Sequence, residues 1–261
     1  MQPVRSYIIW FSQRVGSTLV TQALEDLGVA GRPREWLNAS SASELLAKHG
    51  AADVHELREV LWREATTPNG ILGTKYGATE AWHRDLTTLL ATLVPEARDR
   101  DGREAWAALY PSCRHVFMMR RNKVRLAVSW WRAIKSGEWH RPGRLAATVV
   151  DPPSGRTARP ALPSDLAELY DHNAIAHLLA EASLREAAMQ DVFDRWRVVP
   201  YTLVYEDVIA EYEHTMRALL EFLDIPGRQT IDVPAPAFEP LADEVSDAWV
   251  QRFRSEWPRS S

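Results

Sequence analysis

Cysteine is nearly absent. Cys113 is the only one in 261 residues, so no internal disulfide can form. The eight histidines include no i, i+4 pair, and no Cys/His group has zinc-ligand spacing, so no metal is expected. No run of about eighteen apolar residues occurs, which argues against membrane insertion. The first residues lack a basic region followed by an apolar stretch, and a cytoplasmic location is the expectation. Excess positive charge is also missing. A formal net charge of −4 argues against a general polyanion binder, so no nucleic-acid partner is expected and any anion site must be local. Finally, there is no Gly-x-x-x-x-Gly-Lys-Ser/Thr, the loop a nucleoside triphosphatase needs.

What is present suits a folded core. Hydrophobic residues make up 46% of the chain and charged residues 25%, and this length buries a core without disulfides or metals. One domain over residues 1–261 is expected. Tyr7–Phe11 is aromatic or β-branched on both faces, as in a parallel strand covered by helices. Leu19, Val20, Ala23, Leu24 and Leu27 then recur at helical spacing before Gly28. "GILGTKY", "HVFMMR" and "VVPYTLVYE" read as further strands. Helices are expected at Val54–Thr66, in "LTTLLATLV", along Val124, Ala127, Val128, Trp131 and Ile134, along Met216–Leu223, and from Val245 to Trp257. The alternation predicts an α/β fold, a P-loop-like three-layer αβα with a central, mainly parallel sheet. Residues 141–163 hold five prolines and read as a surface loop or a lid.

The first strand enters its helix through "SQRVGST". Such a junction aims unpaired N–H groups and the positive end of the helix dipole at one point. Gly16 lets a ligand approach the backbone, Ser17 and Thr18 offer hydroxyls, and Arg14 adds a planar cation that fits a phosphate or sulfate face. A tetrahedral anion fits this loop. A plain helix cap beside a surface arginine is the competing reading. After the "HVFMM" strand comes "RRNKVRLAVS", with Arg121 at the strand end and Ser129 eight residues on. Two helical turns rise about 11–12 Å, so this pair converges only if Arg121 reaches back over the helix start.

Together, "SQRVGST" and "RNKVRLAVS" resemble the two donor-binding signatures of sulfotransferases that use 3′-phosphoadenosine-5′-phosphosulfate (PAPS). The subgroup most resembled is the bacterial trehalose 2-sulfotransferase-like family, which also carries a Gly-x-Pro-x-Glu segment, here "GRPRE" at Gly31–Glu35. The resemblance implies PAPS as co-substrate. It places the 5′-phosphosulfate on Arg14, Val15, Gly16, Ser17 and Thr18, and the 3′-phosphate on Arg121 and Ser129. Tyr205 of "YED" matches a tyrosine near the adenine. Glu35 matches the general base, with Trp36 beside it as apolar cover, and Arg14 acts as an electrostatic clamp. Lys75 of "GTKY" matches a lysine that contacts acceptor or sulfate. The implied acceptor is a small-molecule hydroxyl, on a carbohydrate, glycolipid or secondary metabolite, and a homodimer is carried over from the subgroup.

Bland alternatives stand beside these roles. Glu35 could be a surface residue next to a core tryptophan, Tyr205 a packing residue, and Lys75 a solvated one. His115 reads as structural, and His140 as a second-choice base. Among the eleven tryptophans, Trp82, Trp130, Trp131 and Trp139 could form a stacking platform, with Trp131 on the buried stripe and Trp130 and Trp139 freer. A nucleotide-dependent kinase and a non-catalytic nucleotide-binding module are the alternatives to the transferase.

Overall fold

The computed structural model describes residues 2–77, 79–96, 101–139, 166–238 and 243–257. Strand β1 (Arg5–Phe11) runs into helix α1 (Ser17–Asp26), and α2 (Ala42–His49) and α3 (Val54–Glu64) precede β2 (Ile71–Tyr76). Helices α4 (Glu80–Ala91) and α5 (Arg103–Leu109) lead to β3 (Cys113–Met119), which feeds α6 (Lys123–Ser136). After α7 (His172–Trp196) come β4 (Tyr201–Val204), α8 (Tyr205–Ala210), α9 (Tyr212–Phe222) and α10 (Glu244–Glu256). The proline-rich stretch 141–163 and His140 lie outside the described residues.

Among the described residues the paired strands are all parallel, in the order β2-β1-β3-β4. The α/β expectation holds. From β1 the chain adds β2 on one side and then crosses to β3 on the other. The carboxyl ends of β1 and β3 therefore flank the point where the strand order reverses, which is where open α/β sheets bind ligands.

Alternation along β1 builds the layers. Tyr7, Ile9 and Phe11 face one cluster with Leu19, Val20, Leu24, Val116, Met118, Leu126, Trp249 and Phe253. Ile8 and Trp10 face the other, with Leu57, Leu61, Leu86, Trp106, Phe117, Phe193 and Trp196. Helix α7 serves both. Its Ile175, Leu178 and Ala182 pack in the first cluster, and its Met189, Val192, Phe193 and Trp196 in the second. At 25 residues it is about 37 Å long, enough to pass the sheet edge.

The sequence reading is corrected on α6. The buried face carries Leu126, Ala127, Val128, Trp130, Arg132, Ala133 and Ser136, whereas Ile134 is exposed. Trp130 is thus a core residue and Trp131 a half-buried one that donates to the Leu169 carbonyl. The helix is rotated because both α7 and α10 pack on it, and salt bridges from Arg125 to Asp247 and Arg132 to Asp243 dock α10.

Two histidines sit in the aromatic layer under β1. His115 Nδ1 accepts from Trp10 Nε1 at 3.0 Å, and His83 stacks on Trp106 with centroids 5.2 Å apart. Burial pushes both down to about 4, helped by Arg103 for His115 and Arg195 for His83. Each folded value lies below the unfolded one near 6.5, so the unfolded chain binds more protons between pH 6.5 and 4. Stability is complete above that window and falls as pH drops through it, by as much as roughly 3 kcal/mol per histidine. Urea midpoints should therefore decline from pH 7 to pH 4.5, and His115→Gln should flatten the decline. An unchanged midpoint across that range would refute this.

Candidate active site

The loop after β1 has the shape the sequence predicts. Gly16 is the N-cap of α1 at φ 79°, with no side chain capping the helix. Side-chain capping is therefore absent among the described residues, and, with the Leu19 amide donating to the Gly16 carbonyl, the Ser17 and Thr18 amides remain for an outside acceptor. A Cβ at Gly16 would stand 2.6 Å from Cδ2 of the Tyr205 ring, so the loop and the start of α8 meet only because this residue is glycine. Ser17 is buried, as is Val15 beneath the loop.

Arg14 has φ 65°, which turns its side chain across to α6. Its Nε donates to Ser129 Oγ at 3.1 Å and its Nη1 to the Trp139 carbonyl at 2.5 Å. Burial, with Arg120 next in weight, lowers its pKa to about 10, so it stays charged. Arg120 is 9% exposed, lies 4.5 Å from the centroid of the Tyr205 ring, and points Nη1 at the Arg14 carbonyl at 3.5 Å.

Arg121 and Ser129 are not brought to a common partner. The Arg121 guanidinium is 63% exposed and paired with Asp207 at 2.9 Å, while Ser129 accepts from Arg14. Glu206, beside Tyr205, accepts from the Arg121 and Asn122 backbone amides at 2.9 and 3.1 Å, so "YED" braces the entry to α6.

Glu35 arrives by a different route. Segment 31–35 runs alongside β2, with Lys75 N donating to the Arg34 carbonyl at 3.0 Å and Arg34 bridged to Thr74. Only glycine fits here: a Cβ at Gly31, φ 77°, would stand 2.6 Å from the Gly73 nitrogen. The Glu35 carboxylate then meets Lys75 Nζ at 2.9 Å, and the same ammonium donates to Thr18 Oγ1 at 3.2 Å. Glu35, Lys75 and the cradle hydroxyl thus form one chain. Leu37, Asn38, Tyr76, Gly77 and Trp82 complete the depression around Glu35 and Lys75. Trp36 does not cover the carboxylate as expected. Glu35 is 42% exposed, and Trp36 instead donates to the Arg32 carbonyl and lies by Arg34 and His49.

The proposed tryptophan platform dissolves. Trp82 is buried and donates to the Leu37 carbonyl, Trp130 is core, and Trp139 serves Arg14 through its carbonyl. Gly31→Ala should push segment 31–35 off β2 and part Glu35 from Lys75. A crystal structure of that variant with Glu35 still on Lys75 would overturn this account of the glycine.

Sequence reasoning missed α7. Its Glu186, 5% exposed, accepts from Ser12 Oγ at 3.2 Å and from Lys123 Nζ, which also donates to the Arg120 carbonyl at 2.6 Å. Arg185 donates to Gln13 Oε1 at 3.0 Å. One helix thereby locks the loops after β1 and β3 together. Nothing local marks a glutamate in "SLREAAMQ" for that task.

An uncapped helix N-terminus at the sheet's reversal point, buried guanidinium charge and a carboxylate one lysine away have the chemistry that transfer of a tetrahedral anionic group calls for. No His/Cys/Asp/Glu cluster able to hold a metal occurs among the described residues. The model of the Stf0 sulphotransferase family matches residues 6–256, and the chain belongs to that family. Two relatives are trehalose 2-sulfotransferases, both 27% identical. That of Mycobacterium tuberculosis (strain ATCC 35801 / TMC 107 / Erdman) aligns over 98% of this chain and 97% of its own. That of Mycolicibacterium smegmatis (strain ATCC 700084 / mc(2)155) aligns over 97% and 96%. Two solved sulfotransferase domains also align. One is from the Synechococcus PCC 7002 olefin synthase, with TM-score 0.40, 15% identity, and 100% of this chain and 90% of that one covered. The other is from the curacin biosynthetic pathway, with TM-score 0.44, 14% identity and 98% of each chain. The fold assignment rests on the parallel sheet itself.

Proposed function

We propose that the protein moves a sulfuryl group from PAPS to a hydroxyl of a carbohydrate, with Glu35 as general base. The observation that carries this is the Glu35–Lys75–Thr18 chain, which sets a carboxylate beside an uncapped helix N-terminus. The residues present fit the donor: no side chain caps α1 at Gly16, and Arg120 Nε is buried without a hydrogen-bond partner among the described residues. When bound, the donor supplies an activated sulfuryl group on its 5′-phosphate.

The protein's part is placement and charge. Glu35 takes the hydroxyl proton as the acceptor oxygen bonds to sulfur and the bond to the 5′-phosphate oxygen breaks. The products are a sulfate ester and 3′-phosphoadenosine 5′-phosphate. Arg14 and the first-turn amides of α1 offset the charge that develops on the leaving phosphate. Lys75 anchors Glu35 and reaches the cradle through Thr18. Ser129 orients Arg14, and Tyr205 packs over Gly16 where it meets the adenosine end.

The two relatives' names make trehalose the first acceptor to try. Full-length protein incubated with labelled PAPS and trehalose should give a sulfated sugar and one equivalent of 3′-phosphoadenosine 5′-phosphate, read by mass spectrometry. Donor binding without transfer to trehalose or any other hydroxyl acceptor would favour a binding module. Stabilisation by ATP–Mg, and none by 3′-phosphoadenosine 5′-phosphate, would favour a kinase.

A further inference from the structure

Arg120 and Arg121 are neighbours with opposite fates. Arg121 points outward into an ion pair with Asp207. Arg120 points into the crevice between the β1 and β3 loops, 9% exposed, against the Tyr205 ring and the Arg14 backbone. Its Nε has no hydrogen-bond partner among the described residues, and Glu206 Oε1 stands 3.9 Å off, too far for a hydrogen bond. The two acceptors of Arg14 are neutral oxygens of Ser129 and Trp139. Two guanidiniums, with Arg120 close enough to lower the pKa of Arg14, are therefore held side by side with no carboxylate hydrogen-bonded to either among the described residues. Burying like charges in this way is costly unless an anion completes the group.

We propose that Arg120, rather than its neighbour Arg121, is the second cation of the donor site, and that with Arg14 it takes one doubly charged tetrahedral group, phosphate or sulfate, beside Tyr205. The inference rests on the transferase reading for the donor's identity but not for the anion. A guanidinium fork suits such a face because two N–H groups meet two oxygens at once. The Tyr205 ring, 4.5 Å from the guanidinium carbon, backs the fork on one side. Lys123 and Asn122 hold the loop from behind: Lys123 Nζ donates to the Arg120 carbonyl, and Asn122 caps α6.

The test is calorimetric titration of full-length wild type, Arg120→Gln, Arg120→Lys and Arg121→Gln with 3′-phosphoadenosine 5′-phosphate, adenosine 5′-phosphate and adenosine 3′-phosphate. Thermal shifts with inorganic sulfate run in parallel. Arg120→Gln should weaken 3′-phosphoadenosine 5′-phosphate by about 10- to 100-fold, several times more than Arg121→Gln does, and should abolish the sulfate shift. Whichever mononucleotide shares the loss identifies the end of the donor that Arg120 holds. Arg120→Lys keeps the charge without the fork and should fall between wild type and Arg120→Gln; it also serves if the glutamine variant does not fold. An Arg121→Gln loss equal to or larger than that of Arg120→Gln, or a wild-type-like Arg120→Lys, overturns the proposal. If wild type ignores 3′-phosphoadenosine 5′-phosphate yet gains a sulfate shift that Arg120→Gln and Arg120→Lys lose, the donor reading fails while the anion site stands.

Discussion

Glu35→Gln should lower kcat by about 10²- to 10⁴-fold, with affinity for 3′-phosphoadenosine 5′-phosphate within about threefold of wild type. Glutamine has the same shape, and its side-chain oxygen can still accept from Lys75, so the loop over β2 stays put. What disappears is the capacity to take a proton. Glu35 is anchored by a side chain from β2 and lies at the mouth of a solvent-reached depression, where an acceptor hydroxyl can approach from outside. The donor, in contrast, is expected on the α1 and α6 side of Thr18. Steady-state kinetics with labelled donor, paired with calorimetry, separate the two functions. A Glu35→Gln enzyme with most of its turnover would leave the proton to another group and end Glu35's candidacy.

Arg14→Gln should cost about 10²- to 10³-fold in kcat, as removal of a charge-stabilising donor does in other group-transfer sites. Affinity for the spent donor should fall as well, since the cation faces both bound states. Arg14→Lys is the sharper probe. Lysine keeps the charge but cannot bond Ser129 Oγ and the Trp139 carbonyl through one rigid plane, so partial activity with a large kcat defect is expected. Full activity in Arg14→Lys would mean that a point charge suffices and that the fork is irrelevant. Single-turnover measurements at saturating donor distinguish a slowed transfer from weak binding.

Much of this architecture was legible. The β1 run, the loop through Gly16 and the periodic α1 stand where their local pattern puts them, as do β2, β3 and the helix after it. Glycines carried unusual information: Gly31 tolerates no side chain against β2, and this close approach delivers Glu35 to the site. Helix α7 escaped notice because a glutamate interrupts the apolar stripe at its midpoint. Ile175, Leu178, Ala182, Met189, Phe193 and Trp196 keep one stripe at helical spacing, but it changes cluster at its centre, where the buried position is the charged Glu186. Trp130 and Trp131 exchanged expected roles because α10 and α7 together set the rotation of α6.

The chain alone therefore determined the parallel α/β plan, the glycine turn into α1 and the order of its motifs, since strand period, helix period and turn chemistry act within a few residues. It could not decide which of two adjacent arginines turns inward, or that Lys75 rather than Trp36 would hold Glu35. Those outcomes depend on contacts between distant segments, such as Arg14 with Ser129 and Ser12 with Glu186. Burial and charge are properties of the assembled neighbourhood, and no single stretch of sequence contains one.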